Sequence, residues 1–453
     1  MRGLAAAVLV VALGVPGSVL AQENPHPNLG PLPGGSAYAK FADKETVYED
    51  LNLFDEAFER IQHDAVDPVS SAKLIGAAIT GMLSGLDPHA AYLDPAAYKA
   101  LAGPAKTGSD TIGLAVSLAD GQLRVISPRD GSPAAKAGLL PGDLIFTIDK
   151  EPTFAMTLPQ AEERLSGPPG SKVALTVLRG DSSKPLHITV TRAAYQLQTV
   201  TARIEAGNIG YIRIASFDAG TVAGLTSALQ SLRQQTSDKL VGLVLDLRND
   251  PGGNFDAAIK TANAFLDKGD IAVVKGRAAN ADKHIAAKPG KDVAKGLPIV
   301  ALIDGGTARE AELVAGALHD NHRAVLVGTK SFGDGAIETL IPLDSGGAIR
   351  LTTSRFLTPG GTEIQGKGIT PDLTVTPVKV ETLVSAETLH EADLPGALKN
   401  PDAAASKPQA SAAPAHHGPA VATSEIGSKK DAQLTEAVDV LRGLAVYSRR
   451  ASG

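Results

Sequence analysis

The apolar positions of this chain change their period several times along its length. From residue 45 to 101 they recur at helical spacing: Leu51, Phe54, Phe58 and Ile61 share one face, as do Leu74, Ala78, Met82 and Leu83. The stretch Leu86 to Pro95, LDPHAAYLDP, interrupts this with two Asp-Pro turn signals before a short helix restarts. Between 108 and 193 the runs become short, alternating and β-rich, separated by Gly, Asp and Pro: GLAVSL, QLRVIS, DLIFTID, KVALTVLR and LHITVTR. Two helices are expected among them. One is SPAAKAGL, closed by Gly138, and the other TLPQAEERL, started by Thr157 with Pro159 in its first turn. Five strands and two helices in so short a span make a compact β-domain.

After residue 200 the runs read as α/β. IGYIRIASF (Ile209 to Phe217) and LVGLVLDLRND (Leu240 to Asp250) are apolar strands on either side of an amphipathic helix with Leu225, Leu229 and Leu232 on one face. PIVALID (Pro298 to Asp304) and AVLVG (Ala324 to Gly328) are further buried strands. Strands alternating with helices predict a mostly parallel sheet covered on both faces. From 400 to 431 the chain turns to Ala, Ser and Pro, the composition of a disordered linker. A last helix is expected over 434–447, with Leu434, Val438, Leu441 and Ala445 on one face.

At 453 residues the chain exceeds one ordinary core. It holds no cysteine, which excludes disulfides, thiolate catalysis and Cys-based metal sites. A net charge of −6, 4% aromatics and no Trp give no sign of a nucleic-acid partner. Arg2 precedes the apolar run Leu4 to Leu13, and Val19-Leu20-Ala21 carries short side chains at the two positions a signal peptidase reads. Residues 1–21 are therefore expected to be a cleaved secretory signal, with no stable membrane span afterwards.

The strongest candidate chemistry lies in LDLRNDPGGNFDAAI, Leu245 to Ile259. A strand ends and turns on Gly252-Gly253 into a helix, where backbone N–H groups can stabilise an oxyanion. Taken alone, a Gly-Gly dipeptide is more often a packing turn. A second glycine turn, GGTAREAEL (Gly305 to Leu313), opens another helix with Arg309 at its mouth. His89 stands alone in its turn and reads as structural. The pair His319 and His322 reads as a solvated helix end, and His416-His417 is weak evidence for a metal.

The chain resembles the carboxyl-terminal processing proteases, also called tail-specific proteases. The resemblance runs through GMLSGLDPHAAYLDP (Gly81 to Pro95), GYIRI, LDLRNDPGG, AELVAGAL, LTTSRFLTPGGTEIQGKGITPD (Leu351 to Asp372) and LTEAVDVLRG. The β-domain resembles a circularly permuted PDZ domain through DGSPAAKAGLLPGDLIFTID (Asp130 to Asp149). The implied fold is multidomain α/β. It comprises a signal peptide (1–21), a helical N-terminal region (22–107), the PDZ-like domain (108–193), the α/β core (194–380) and a C-terminal region (381–453).

The resemblance implies a Ser nucleophile, a Lys general base and a Gln that orients the Lys. The family's nucleophile segment runs Gly-Ser-Ala-Ser-Ala-Ser-Glu, with the middle serine catalytic. Its lysine lies 25 residues later in Phe-Gly-Lys-Gly, and its Gln four beyond that. Gly306, Ala308 and Glu312 fix the register, so these positions fall on Arg309, Asp334 and Glu338. All three are substituted. A guanidinium has no nucleophilic oxygen and keeps its proton near neutrality.

An Arg309–Asp334 ion pair is expected, with Glu338 as second partner. Thr307, Ser331 and Lys330 are the nearby groups on which a relocated dyad would have to draw, and all are offset in sequence. The PDZ resemblance implies that Gly113 lets backbone amides meet a C-terminal carboxylate, beside a pocket shaped by Ile112, Leu114, Ala161 and Leu165. These residues read equally well as ordinary core.

Two functions follow. One is an exported, periplasmic pseudoprotease that binds unfolded or C-terminal peptide segments, alone, self-associated or with an active relative. The other is an active serine-type endopeptidase with relocated residues. Neither requires a cofactor or a metal.

Overall fold

The computed structural model describes residues 44–102, 111–119, 122–154, 156–179, 184–195, 197–277, 282–377, 426–428 and 431–451. The expected signal peptide, His416-His417 and most of the expected linker lie outside them. Among the described residues no helix is long and apolar enough to cross a membrane.

The core is built on a six-stranded sheet in the order 373–374, 324–328, 299–303, 242–246, 209–214, 200–205. Every neighbouring pair is parallel except the last, where Val200–Glu205 runs antiparallel to Ile209–Ile214. The strands Ile209–Ile214, Gly242–Asp246 and Ile299–Ile303 are buried at every position because both faces are covered, and apart from Arg213 and Asp246 they carry no charged residue. Ile212, Ile214, Leu243, Leu245, Ile299, Ala301 and Ile303 share one face with a cluster from the helices Thr221–Gln235, Phe255–Asn263 and Glu310–Asp320. On the other face Ile209, Tyr211, Val244, Val300 and Leu302 meet Leu434, Ala437, Val438 and Leu441 of the terminal helix Ala432–Ala451.

That helix is anchored at its start by charge. Arg248 donates to Asp431 Oδ1 and Oδ2 at 2.8 and 2.6 Å, to Gln433 Oε1 at 2.9 Å, and to Asp246 Oδ1 and Oδ2 at 2.9 and 2.5 Å. None of its side chain is exposed. Burial disfavours the Asp246 carboxylate, yet Arg248, Arg213 and the Tyr211 hydroxyl hold its pKa below the ordinary value. The expected linker thus ends before Asp431, which is buried in this network.

A second sheet departs from the mostly parallel arrangement expected. It is antiparallel, with Ala91–Leu93, Ala348–Leu357, Asp270–Gly276 and Lys283–Ala286 in that order, and Ala336–Pro342 also pairs Ala348–Leu357. The local pattern in LDPHAAYLDP signals turns. Its three-residue strand exists because Ala348–Leu357 offers it an edge.

The PDZ domain forms a sheet of Leu114–Ala119, Gln122–Pro128, Leu144–Ile148, Lys172–Leu178 and Leu186–Thr191. A sixth strand, Glu151–Pro152, was not expected. The helices are Pro133–Lys136 and Leu158–Leu165. Arg213 joins this domain to the core through a bidentate contact with Asp130, and Arg129 Nη1 donates to Ser216 Oγ at 3.1 Å. The helix Lys44–Asp64 carries its stripe of Leu51, Phe54 and Ile61 exposed, and among the described residues nothing covers it.

Candidate active site

Residue 309 sits where a strand turns sharply into a helix. The strand Ile299–Ile303 ends at Asp304, whose Oδ1 accepts the Asn249 and Gly306 amides at 2.8 and 3.0 Å. Gly306 has no room for a side chain: a Cβ there would lie 2.2 Å from Asn249 Oδ1. Arg309 then adopts φ 53°, ψ −117°, outside the regions that L-residues favour. Strained strand-to-helix turns of this kind can expose a nucleophile, and the side chain this one presents is a guanidinium.

Glu312 holds the turn and the loop 331–335 together. Its Oε2 accepts the Arg309 and Asp334 amides at 3.0 and 2.9 Å, and its Oε1 the Gly333 amide and Ser331 hydroxyl at 2.7 and 2.5 Å. Burial pushes this carboxyl up to about 8, against the pull of the Ser331 hydroxyl and the Asp334 and Gly333 amides. Through it, residues 25 apart in sequence meet.

Arg309, Asp334 and Glu338 are brought together, but not in the order of preference expected. Arg309 Nη1 lies 3.0 Å from Glu338 Oε1 and 3.6 Å from Asp334 Oδ2. Glu338 is the hydrogen-bonded partner, and its extra methylene supplies the reach. Asp334 meanwhile accepts the Ala336 amide on Oδ1. Burial alone would raise the Glu338 pKa, but Arg309, His89 and Arg350 hold it below the ordinary carboxylate value. Burial would likewise lower that of Arg309, and the surrounding carboxylates raise it instead.

His89 was expected to be structural and solitary. It lies between the two carboxylates, with Nε2 3.7 Å from Asp334 Oδ2 and Nδ1 3.6 Å from Glu338 Oε1. Arg350 completes the cluster, its Nε 3.6 Å from Glu338 Oε2 and 3.1 Å from the His89 carbonyl. Both arrive through the pairing of Ala91–Leu93 with Ala348–Leu357, which no local pattern announces. Burial raises the pKa of Glu162 on the helix Leu158–Leu165, with the charges of Arg350, Arg309 and His89 acting the other way.

The paired glycines do not offer free amides. Gly252 N–H donates to Asp250 Oδ1 at 2.8 Å, and Gly253 N–H to Glu310 Oε2 at 2.8 Å. An amide takes an available acceptor, and Glu310 supplies one to Gly253 where the family's segment has Ala. That departure was readable in the segment used to set the register.

Nearby hydroxyls are committed elsewhere. Thr307 Oγ1 donates to the Leu247 carbonyl at 2.9 Å, and Ser331 donates to Glu312 while accepting the Ile369 amide at 2.6 Å. Both residues are buried to 1% exposure or less.

The PDZ residues form less of a groove than expected. Ile112, Ala161 and Leu165 are buried in the domain core with Val116, Leu123 and Val173, and only Leu114 is half-buried. So small a domain needs every apolar side chain between its helix and its sheet. Gly113, at φ +74°, donates its amide to Thr111 Oγ1 at 3.2 Å.

Residues 208–375 match peptidase family S41, and residues 124–179 match the PDZ domain family. A carboxy-terminal-processing protease of Bartonella bacilliformis is 40% identical over 403 residues, spanning 88% of this chain and 90% of the relative. The carboxy-terminal processing protease CtpA of Bacillus subtilis is 33% identical over 73% of this chain and 69% of its own. Among solved structures, a photosystem II D1 C-terminal processing protease superposes with TM-score 0.62 at 28% identity, covering 76% of this chain and 98% of its own. From the PDZ domain to the end of the core, sequence and fold agree: the chain belongs to the carboxyl-terminal processing protease family.

Proposed function

We propose that this chain is a catalytically silent member of its family, an exported periplasmic protein that holds protein C-termini through its PDZ domain. The observation that carries this is Arg309 at the nucleophile position, bonded to Glu338 and flanked by Asp334. No nucleophilic atom stands at the turn, and a carboxylate with reference pKa ~3.9 replaces the lysine base. The buried, bonded hydroxyls of Thr307 and Ser331 speak against a relocated nucleophile. Peptide binding at Gly113 and Leu114 requires the helix Leu158–Leu165 to ease away from the strand Leu114–Ala119, because Ile112, Ala161 and Leu165 now fill the space between them.

The test is cleavage of an unfolded protein with an apolar C-terminus by the mature chain. No cleavage is expected, and turnover free of contaminating protease overturns the reading. Binding is measured with one apolar peptide as C-terminal acid and as amide. At least tenfold preference for the acid is expected, and equal affinity removes the PDZ site from the proposal.

A further inference from the structure

Glu310 belongs to the silenced site as much as the three expected positions do. It is the first residue of the helix Glu310–Asp320, and its carboxylate leaves its own helix to accept the Gly253 amide from a different segment. The residue is 6% exposed. Its Oε2 stands so close above Gly252 that a Cβ there would lie 2.3 Å from it. A carboxyl oxygen therefore already occupies the donor that a tetrahedral intermediate would need. Burial raises the Glu310 pKa, and Asp334 raises it further, while Arg309 and the Gly253 amide act the other way.

We infer that Glu310 is an internal occupant of the oxyanion site. Restoring Ser, Lys and Gln at 309, 334 and 338 then leaves the chain closed until residue 310 is also made small. This rests on the silent-protease reading and names a fourth determinant within it.

Four proteins test it: the parent, the triple variant Arg309→Ser/Asp334→Lys/Glu338→Gln, and that triple with Glu310→Ala or Glu310→Gln. Two quantities are measured, cleavage of the unfolded substrate and affinity for an apolar peptidyl boronic acid, which forms a tetrahedral anion on a serine oxygen. The Ala variant is expected to exceed the triple by about 10²-fold in either quantity, the scale of one oxyanion donor. The Gln variant retains an acceptor of the same length and is expected to stay with the triple. A triple variant as active as the Ala variant overturns the inference and leaves the silent reading standing. Equal boronate affinity in both overturns it even when neither cleaves. A Gln variant matching the Ala variant also overturns it, since charge rather than occupancy would then be the cause. A parent that cleaves overturns the silent reading itself.

Discussion

Arg248 and Arg309 follow neighbouring parallel strands, Gly242–Asp246 and Ile299–Ile303, and carry their charge under different terms. Arg248 makes five side-chain hydrogen bonds, forked onto Asp246 and Asp431, and is wholly buried. Arg309 makes one at 3.0 Å, stands 3.6 and 3.9 Å from two further carboxylates, and leaves 29% of its side chain exposed. A guanidinium gains most from bidentate partners in fixed geometry. The first site is shaped around its arginine. The second accommodates one at a strained strand-to-helix turn.

The sharpest way to break the comparison is Arg248→Ala. Leaving Asp246 and Asp431 buried and unpaired is expected to cost about 3–5 kcal/mol in chemical denaturation. A loss under about 1 kcal/mol would mean that the two sites are alike. Arg309→Ala should cost less, about 1–2 kcal/mol, because the Arg309 side chain is itself partly exposed and makes one hydrogen bond to its carboxylates. A double-mutant cycle with Glu338→Gln should recover part of that loss, and strict additivity would show that the 3.0 Å contact carries no coupling.

A smaller effect depends on pH. The folded state depresses the Glu338 pKa from a reference of 4.5, so its contribution is present above that value and fades as pH falls through the lower folded value. Parent and Glu338→Gln are therefore expected to differ in stability at pH 7 and to converge as pH falls below 4.5 through the lower folded value. A gap that does not narrow with acidification would assign it to packing instead of charge. The smallest expectation is zero: Asp334→Lys alone restores no cleavage. Turnover from that variant would show that the nucleophile is not at position 309.

The meeting of Arg309, Asp334 and Glu338 was legible because motif register fixes which residues face each other once the fold is known. Which carboxylate binds closer was not, since it depends on one methylene and on the Ala336 amide that occupies Asp334. His89 and Arg350 were illegible for another reason. They reach the site only when Ala91–Leu93 adds to Ala348–Leu357, a contact spanning more than 250 residues that leaves no periodic trace. The parallel sheet was legible in its unbroken apolar strands. The second sheet was not, because pairing with distant edges decides it. Glu310 was in plain view as a departure from the family's segment, but only coordinates reveal that its carboxylate turns toward Gly253.

The ion pair between Arg248 and Asp431 joins positions 183 residues apart. While the backbone between them is continuous, the terminal helix returns to its sheet at the high effective concentration set by its own tether. One break between 378 and 425 removes that advantage, and the helix becomes a separate ligand subject to dilution. Val244, Val300 and Leu302 would then face water whenever it departs. The integrity of the backbone between 378 and 425 thus governs whether that face of the sheet stays dry.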